Sequence, residues 1–317
     1  MRFGVHLPLM DLGGQRFAID HLVDYVETAT ALGFEAVSAN DHVVFGAPWL
    51  DGPTALAAVV SCSGNARLFT TVANPVVRGP VVLTKVLAGL DVMSGGRVVA
   101  ALGPGSSDRD YASVGVPFEE RWQRFEEAVS ATRALLLGGS FEGHFYAVEG
   151  PLEPLSAQPS GPPLWVGSWG SDAGLRRAVR LGDGWLASAY NITPGQFRDR
   201  WDMVQKLLGE ARRDPADFAN GIATMWFHID DRRANDVLEE RLAPVIHRPS
   251  EQLRERLAFG PAEAVVEKLI AFRDAGVQWM FLWPVADDIE QLQRFADQVM
   301  HQPPAGLPPR RHRWASW

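Results

Sequence analysis

The adjacent pair Asp41-His42 carries the sharpest chemistry in this 317-residue chain. Histidine titrates near neutral pH, so it can both give and take a proton. A neighbouring carboxylate can orient such a ring, although consecutive residues of an extended strand point to opposite faces. The plainer reading is a turn in which Asp41 caps backbone donors and His42 is simply exposed. Two Gly/Ser runs, Gly103-Pro104-Gly105-Ser106-Ser107 and Gly167-Ser168-Trp169-Gly170-Ser171, offer backbone N–H groups and hydroxyls. The second leads into a helix, whose N-terminus attracts anions. One such run alone reads as a tight turn; the two together predict a site for a phosphate-bearing cofactor. Of eleven tryptophans, Trp49, Trp169, Trp185, Trp226, Trp279 and Trp283 fall in or beside strands. Most should pack the core, while one or two at a pocket mouth would meet a planar ring or an apolar substrate. His6 and Trp49 are the candidate substrate-pocket residues. His6 and His228 sit within strands, where an isolated histidine is more often a packing residue. The eight histidines show no HExxH and no i,i+4 pair, and GxSxG and GxxxxGK[ST] are missing. No metal is expected.

The elements that must position these groups alternate. Apolar or β-branched runs at residues 3–7, 34–39, 68–74, 97–102, 164–168, 184–188, 221–229 and 277–283 read as strands. Between and after them, 20–32, 53–63, 80–93, 118–137, 172–181, 194–213, 261–275 and 287–300 read as helices, and 230–259 as a charged helical stretch. Gly33, Gly64 and Gly95 recur at one spacing at helix-to-strand junctions, a weak internal repeat. Segment 138–163, rich in Gly, Pro and Ser, holds one strand-like piece at 141–147 and reads as an excursion after strand four. Eight strands alternating with helices predict an α/β fold, a single (β/α)8 TIM barrel. A doubly wound sheet is the alternative, and its usual GxGxxG after the first strand is missing. In a barrel, function collects at the C-terminal ends of strands. His6, Asp41-His42, Thr71-Val72-Ala73 and both Gly/Ser runs all fall there.

Composition sets the outer limits. The chain is 46% hydrophobic and 21% charged, with net charge −8. No basic stripe precedes the last residues, so nucleic acid is not an expected partner. Cys62 is the single cysteine, which excludes an intrachain disulfide and fits a reducing compartment. No apolar run reaches the ~18 residues of a membrane span, and the N-terminus lacks a signal-type apolar core. A soluble, cytoplasmic protein acting on a small molecule is expected. Residues 1–302 form the expected barrel domain. Residues 303–317, PPAGLPPRRHRWASW, form a separate tail, either a flexible end or an arm docking on a neighbouring subunit.

The motifs also spell a family. LGFEAVSANDH, TTVANPVVRGPVVLTKVLAGLDVMSGGRVVAALGPGSSD, PPLWVGSWGSDAGLRRAVRLGDGW and FGPAEAVVEKLIAFRDAGVQWMFL occur in order and cover nearly the whole barrel. In these the chain resembles the bacterial luciferase-like superfamily of flavin and deazaflavin enzymes. The resemblance implies a further insertion near strand seven and a ring cofactor at the strand C-termini. It assigns Thr71, Val72, Ala73, Gly103, Gly105, Ser106, Gly167, Ser168, Trp169 and Gly170 to the cofactor, His42 to acid/base work, and Asp41 either to a hydrogen bond with the cofactor ring or to orienting that base. It also places a non-proline cis peptide at Thr71–Val72, in a bulge that presses Val72 against the ring. Asp41-His42 and the glycines of Gly103-Pro104-Gly105 resemble the branch that uses coenzyme F420. Pro104 stands where luciferases proper carry an arginine for the FMN phosphate. Ser106 stands where sugar-phosphate dehydrogenases of the F420 branch carry Glu, which argues against a sugar phosphate. The resemblance therefore implies hydride transfer between F420 and an alcohol, carbonyl or activated double bond, and a homodimer. The alternatives are an FMN-dependent monooxygenase and a non-catalytic cofactor-binding homologue.

Overall fold

The computed structural model describes residues 1–12 and 17–300. The tail 303–317 lies outside the described residues. Among the described residues eleven strands form: β1 (Arg2–His6), β2 (Ala36–Ala39), β3 (Arg67–Ala73), β4 (Val98–Leu102), β5 (Phe141–Glu142), β6 (Ala147–Val148), β7 (Leu164–Gly167), β8 (Gly184–Ser188), β9 (Ala219–Ile229), β10 (Ala258–Gly260) and β11 (Trp279–Pro284). Strands β1-β2-β3-β4-β7-β8-β9-β11 pair in parallel, and β11 returns to β1. This is the closed eight-stranded (β/α)8 barrel that the alternation predicts. Closure buries both faces of each strand, which is why β4 and β11 are uniformly buried and read as unbroken apolar runs, and why β2 is uniformly buried with Ser38 its one polar residue.

The interior is filled from the N-terminal end. Phe69 packs against Trp165, Trp279 and Phe281 at ring distances of 5.4, 5.2 and 4.7 Å. Arg2 lies 4.1 Å over the Trp279 ring. That plug leaves chemistry only to the opposite, C-terminal rim. A thicker apolar layer joins the outer strand faces to the helices, with Leu83 and Leu87, Leu175 and Ala178, and Leu269 and Phe272 fully or almost fully buried.

Helix signals in the sequence are used as read. Asp51 caps α2 (Gly52–Ala58) by accepting from the Thr54 N–H at 2.9 Å, and Pro53 lies at its start. Gly95 ends α3 (Pro80–Ser94) in the left-handed conformation, φ 68°. The helix expected at 118–137 forms as a 3-10 turn, Phe118–Glu120, followed by α5 (Arg121–Leu136).

Four local expectations are corrected. The piece at 141–147 is not one strand but an antiparallel hairpin of β5 and β6, because the Glu127 carboxylate accepts the Phe145 and Tyr146 N–H groups, each at 2.7 Å, and folds the chain back. The stretch 230–259 is not continuous helix. It runs helically over 234–246, breaks at left-handed His247 (φ 51°) and at Pro249, resumes over Ser250–Arg256, and ends in β10, which pairs with β9 outside the ring. A short helix, α4 (Asp108–Ser113), follows the first Gly/Ser run where none was expected. Strand β9 begins at Ala219, two residues before the expected start.

Candidate active site

At the end of β3 the register against β4 shifts between Thr71 and Ala73, and the Thr71–Val72 peptide is cis, as the resemblance implies. The bulge sets Val72 beside the first residues of both Gly/Ser runs. A Cβ on Gly103 would lie 2.6 Å from Val72 Cγ2, and one on Gly167 would lie 2.8 Å from Val72 Cγ1. Both positions need glycine for that close approach. Strands β3, β4 and β7 are consecutive neighbours, so Thr71-Val72-Ala73, Gly103–Ser106 and Gly167–Gly170 come together on one side of the rim.

The first run is clamped. Asn74 Nδ2 donates to the Pro104 carbonyl at 2.9 Å, Tyr111 OH donates to the same carbonyl at 2.6 Å, and Asn74 Oδ1 accepts from the Val76 and Val77 N–H groups. Ser107 then caps α4 by accepting from the Asp110 N–H at 3.2 Å. The second run is held by the Ser168 N–H on the Leu186 carbonyl and by Trp185 Nε1 on the Ser168 carbonyl, both 3.0 Å. Ser171 caps the helix that follows, Asp172–Leu181. Gly170 has φ 94° and faces the stem of Arg200, while Trp169 is 52% exposed at the rim. Ser106 is exposed as well.

The other side of the rim is aromatic. His42 contacts Phe45 and Trp49, each at 4.8 Å between rings. Trp49 meets Trp283 at 5.7 Å, Trp283 meets Trp226 at 5.3 Å, and Trp226 meets Tyr190 at 5.2 Å. These rings come from the segment after β2, from β11 and β9, and from the turn after β8. Phe45 and Tyr190 carry no motif; only the aromatic richness of the chain hints at them.

His6 is corrected from a pocket-lining residue to a support behind this wall. It is fully buried and stacks on Trp283 at 3.6 Å. Its Nε2 accepts the Asn40 N–H at 3.0 Å, so the proton sits on Nδ1, 2.7 Å from the Leu7 carbonyl. Burial pushes its pKa down to about 3, against the smaller opposing effects of Leu7 and Asn40. A ring held neutral with both nitrogens engaged handles no substrate proton.

Asp41 and His42 part company, as neighbours on an extended segment do. Asp41 is a structural anion. Arg78 grips it with Nε on Oδ2 and Nη2 on Oδ1, both 2.7 Å, and the Asn74 N–H adds a bond at 3.1 Å. Arg78 also pairs with Asp51, and these two carboxylates raise its pKa despite burial. The expectation that Asp41 orients the histidine is therefore corrected. His42 Nδ1 instead lies 2.9 Å from Asp110 Oδ2, and Asp110 Oδ1 accepts from the Val43 and Val44 N–H groups at 3.0 and 2.7 Å. Burial alone would raise the pKa of Asp110, but the bonds to His42, Val44 and Val43 outweigh it and hold the group below the usual carboxylate range. His42 keeps 19% of its side chain exposed, and its Nε2 has no hydrogen-bond partner among the described residues. Sequence reasoning missed Asp110. The one local signal was the capping spacing Ser107-x-x-Asp110, which marks a helix start rather than a partner for His42.

The residues present suit a planar, phosphate-bearing ring cofactor. Val72, Gly103 and Gly167 make a shallow cradle that side chains would fill, and helix-capped loops flank it. Buried Asn40 Oδ1, Thr71 Oγ1 and Trp49 Nε1 lack partners among the described residues, and such groups call for an explanation.

Comparison with known proteins agrees with this geometry. Over 282 residues the chain is 28% identical to an F420-dependent hydroxymycolic acid dehydrogenase of Mycobacterium tuberculosis, covering 84% of this chain and 76% of that protein. Among solved structures it is similar to an F420-dependent secondary alcohol dehydrogenase in complex with an F420-acetone adduct, with TM-score 0.82, 18% identity, and 94% and 98% of the two chains covered. A monooxygenase from Streptomyces bottropensis matches with the same TM-score, 0.82, at 21% identity and the same coverage, 94% and 98%. The family model for luciferase-like monooxygenases matches residues 1–248, and the chain belongs to that family.

Proposed function

We propose that this protein is an F420-linked oxidoreductase that interconverts an apolar secondary alcohol and its ketone, or reduces an activated double bond. The observation that carries the reading is the position of His42. Its Nε2 is unbonded beside the aromatic wall, on the rim that also carries the Val72-Gly103-Gly167 cradle. The activities of the mycobacterial dehydrogenase and of the secondary alcohol dehydrogenase support the same choice of cofactor and reaction.

Thr71, Val72, Ala73, Gly103, Gly105 and Gly167 would hold the ring and its near phosphate, with Ser106, Ser168, Trp169 and Gly170 at the outer edge. Bound F420 supplies the hydride acceptor or donor. His42 handles the proton: Nε2 takes it from the substrate hydroxyl in oxidation and returns it in reduction. Asp41, through Arg78, shapes the segment that carries His42. The rings of Phe45, Trp49 and Trp226 select an apolar substrate and exclude water. Outward-facing Val82 and Met93 on α3, 58% and 59% exposed, are the proposed contact of a homodimer. A cytoplasmic location completes the proposal. No helix among the described residues is long and apolar enough to cross a membrane.

Titration of the purified protein with F420 and with FMN, followed by absorbance, tests the reading. Saturable binding of F420 and its reduction by secondary alcohols are expected. Binding of FMN alone would move the protein to the monooxygenases, and binding of neither would make it a non-catalytic homologue.

A further inference from the structure

We propose that Asp110 is the positioning residue of this site: its carboxylate holds the His42 imidazole as the Nδ1–H tautomer and leaves the Nε2 lone pair to face substrate. The inference rests on the reading of His42 as the proton-handling group, and it adds a residue that neither motif nor adjacency marks.

Valence fixes the tautomer. An ionised carboxylate accepts hydrogen bonds and donates none. Asp110 Oδ2 lies 2.9 Å from His42 Nδ1, so the proton of a neutral imidazole must sit on Nδ1. Nε2 is then the basic nitrogen, and it has no hydrogen-bond partner among the described residues. The second oxygen is equally committed. Oδ1 accepts the N–H groups of Val43 and Val44, the two residues that follow His42. One carboxylate thus fixes both the ring and the backbone beneath it. Asp110 is itself 4% exposed, and its N–H is tied to Ser107 Oγ in the first turn of α4. No competitor is in place: both oxygens of Asp41 are taken by Arg78. The arrangement also spans the rim. His42 follows β2 and Asp110 follows β4, so the bond crosses above the β3 bulge and joins the glycine loop to the proton-handling segment.

Asparagine at this position separates tautomer control from mere packing. It keeps a carbonyl oxygen for the Val43 and Val44 N–H groups, yet it can turn an NH2 toward Nδ1. That forces the proton onto Nε2, the wrong tautomer for taking a hydroxyl proton, and in a comparable His–Asp pair such a change costs about 10⁴ in kcat. Long-range ¹H–¹⁵N spectra of histidine-labelled protein read the tautomer directly, and the ring signals missing from His42→Ala identify His42. The expected result is Nδ1–H in the wild type and Nε2–H in Asp110→Asn. It is accompanied by a fall in kcat of about 10²-fold or more, an F420 dissociation constant within about twofold, and partial recovery in Asp110→Glu. Nε2–H in the wild-type spectrum overturns the proposal, and that measurement needs no variant at position 110 to fold. Full turnover in Asp110→Asn beside an inactive His42→Ala also overturns it while leaving the proton role of His42 intact. Full turnover in His42→Ala, by contrast, removes the underlying reading.

Discussion

The two sides of the barrel rim solve opposite problems. From β9 through β11 and β1 to the segment after β2, the surface is built of large rings: Tyr190, Trp226, Trp283, Trp49, Phe45 and His42, with His6 stacked behind. From β3 through β4 to β7 it is built of the absence of side chains, with Gly103 and Gly167 leaving room for Val72. An aromatic wall selects by apolar area and shape. A glycine surface presents backbone N–H groups and allows close approach, which suits a flat ring and a phosphate. The bond from His42 to Asp110 is the seam between them. On the proposed reading of the site, the contrast makes substrate choice and cofactor choice separable, because different strands would carry them.

That contrast can be broken experimentally, beginning with the seam. His42→Ala should lower turnover by about 10²–10⁴-fold, or roughly 3–5 kcal/mol of barrel-mouth chemistry, while F420 still titrates normally. A parallel loss of F420 binding would mean that the two sides are not separable.

On the glycine side, Gly103→Val places a branched side chain where even a Cβ would lie 2.6 Å from Val72. It should raise the F420 dissociation constant at least about 10-fold and cost roughly 1–3 kcal/mol of stability. Unchanged affinity would move the ring away from the cradle.

The aromatic side makes a pH prediction through His6. Its folded pKa of about 3 lies below the ordinary value of 6.5, so the unfolded chain takes up the proton first on acidification. Its contribution to stability is complete above pH 6.5 and is lost progressively as pH falls toward 3. Between pH 6.5 and 5 the wild type should lose about 2 kcal/mol more than His6→Gln, read as the shift in urea midpoint. Parallel curves would show that His6 is not held neutral behind the wall.

The smallest effect is expected from Trp49→Leu. It removes one ring but keeps an apolar surface, so KM for a bulky secondary alcohol should rise by about 5–10-fold, near 1 kcal/mol, with F420 affinity unchanged. An unchanged KM would leave Trp49 as packing alone.

Much of this molecule is legible in one dimension, for reasons that particular residues make plain. Uniformly apolar runs such as 98–102 announce a strand buried on both faces. Proline and glycine at 53 and 95 mark helix ends, since their backbone limits are intrinsic. Gly103 and Gly167 are readable because each opens a Gly/Ser run directly at the end of an apolar strand. The helix expected at 230–259 failed because left-handed His247 and the Pro249 that follows it interrupt a favourable charge pattern. Asp41 misled by adjacency: on an extended segment the next side chain faces away, and the Arg78 guanidinium was a better partner. His6 misled by its strand-end position, since burial and two hydrogen bonds use up its chemistry.

The sequence by itself determined the alternation of strands and helices, the family, and the strand ends at which the glycine loops fall. Those depend on local periodicity, turn chemistry and glycine, each set within a few residues of chain. Only the tertiary structure decided which carboxylate serves His42. Asp110 lies 68 residues away, on a different strand's loop. It becomes the partner only when closure of the barrel sets β2, β3 and β4 side by side. At that range, direction and distance govern a hydrogen bond, and spacing along the chain encodes neither.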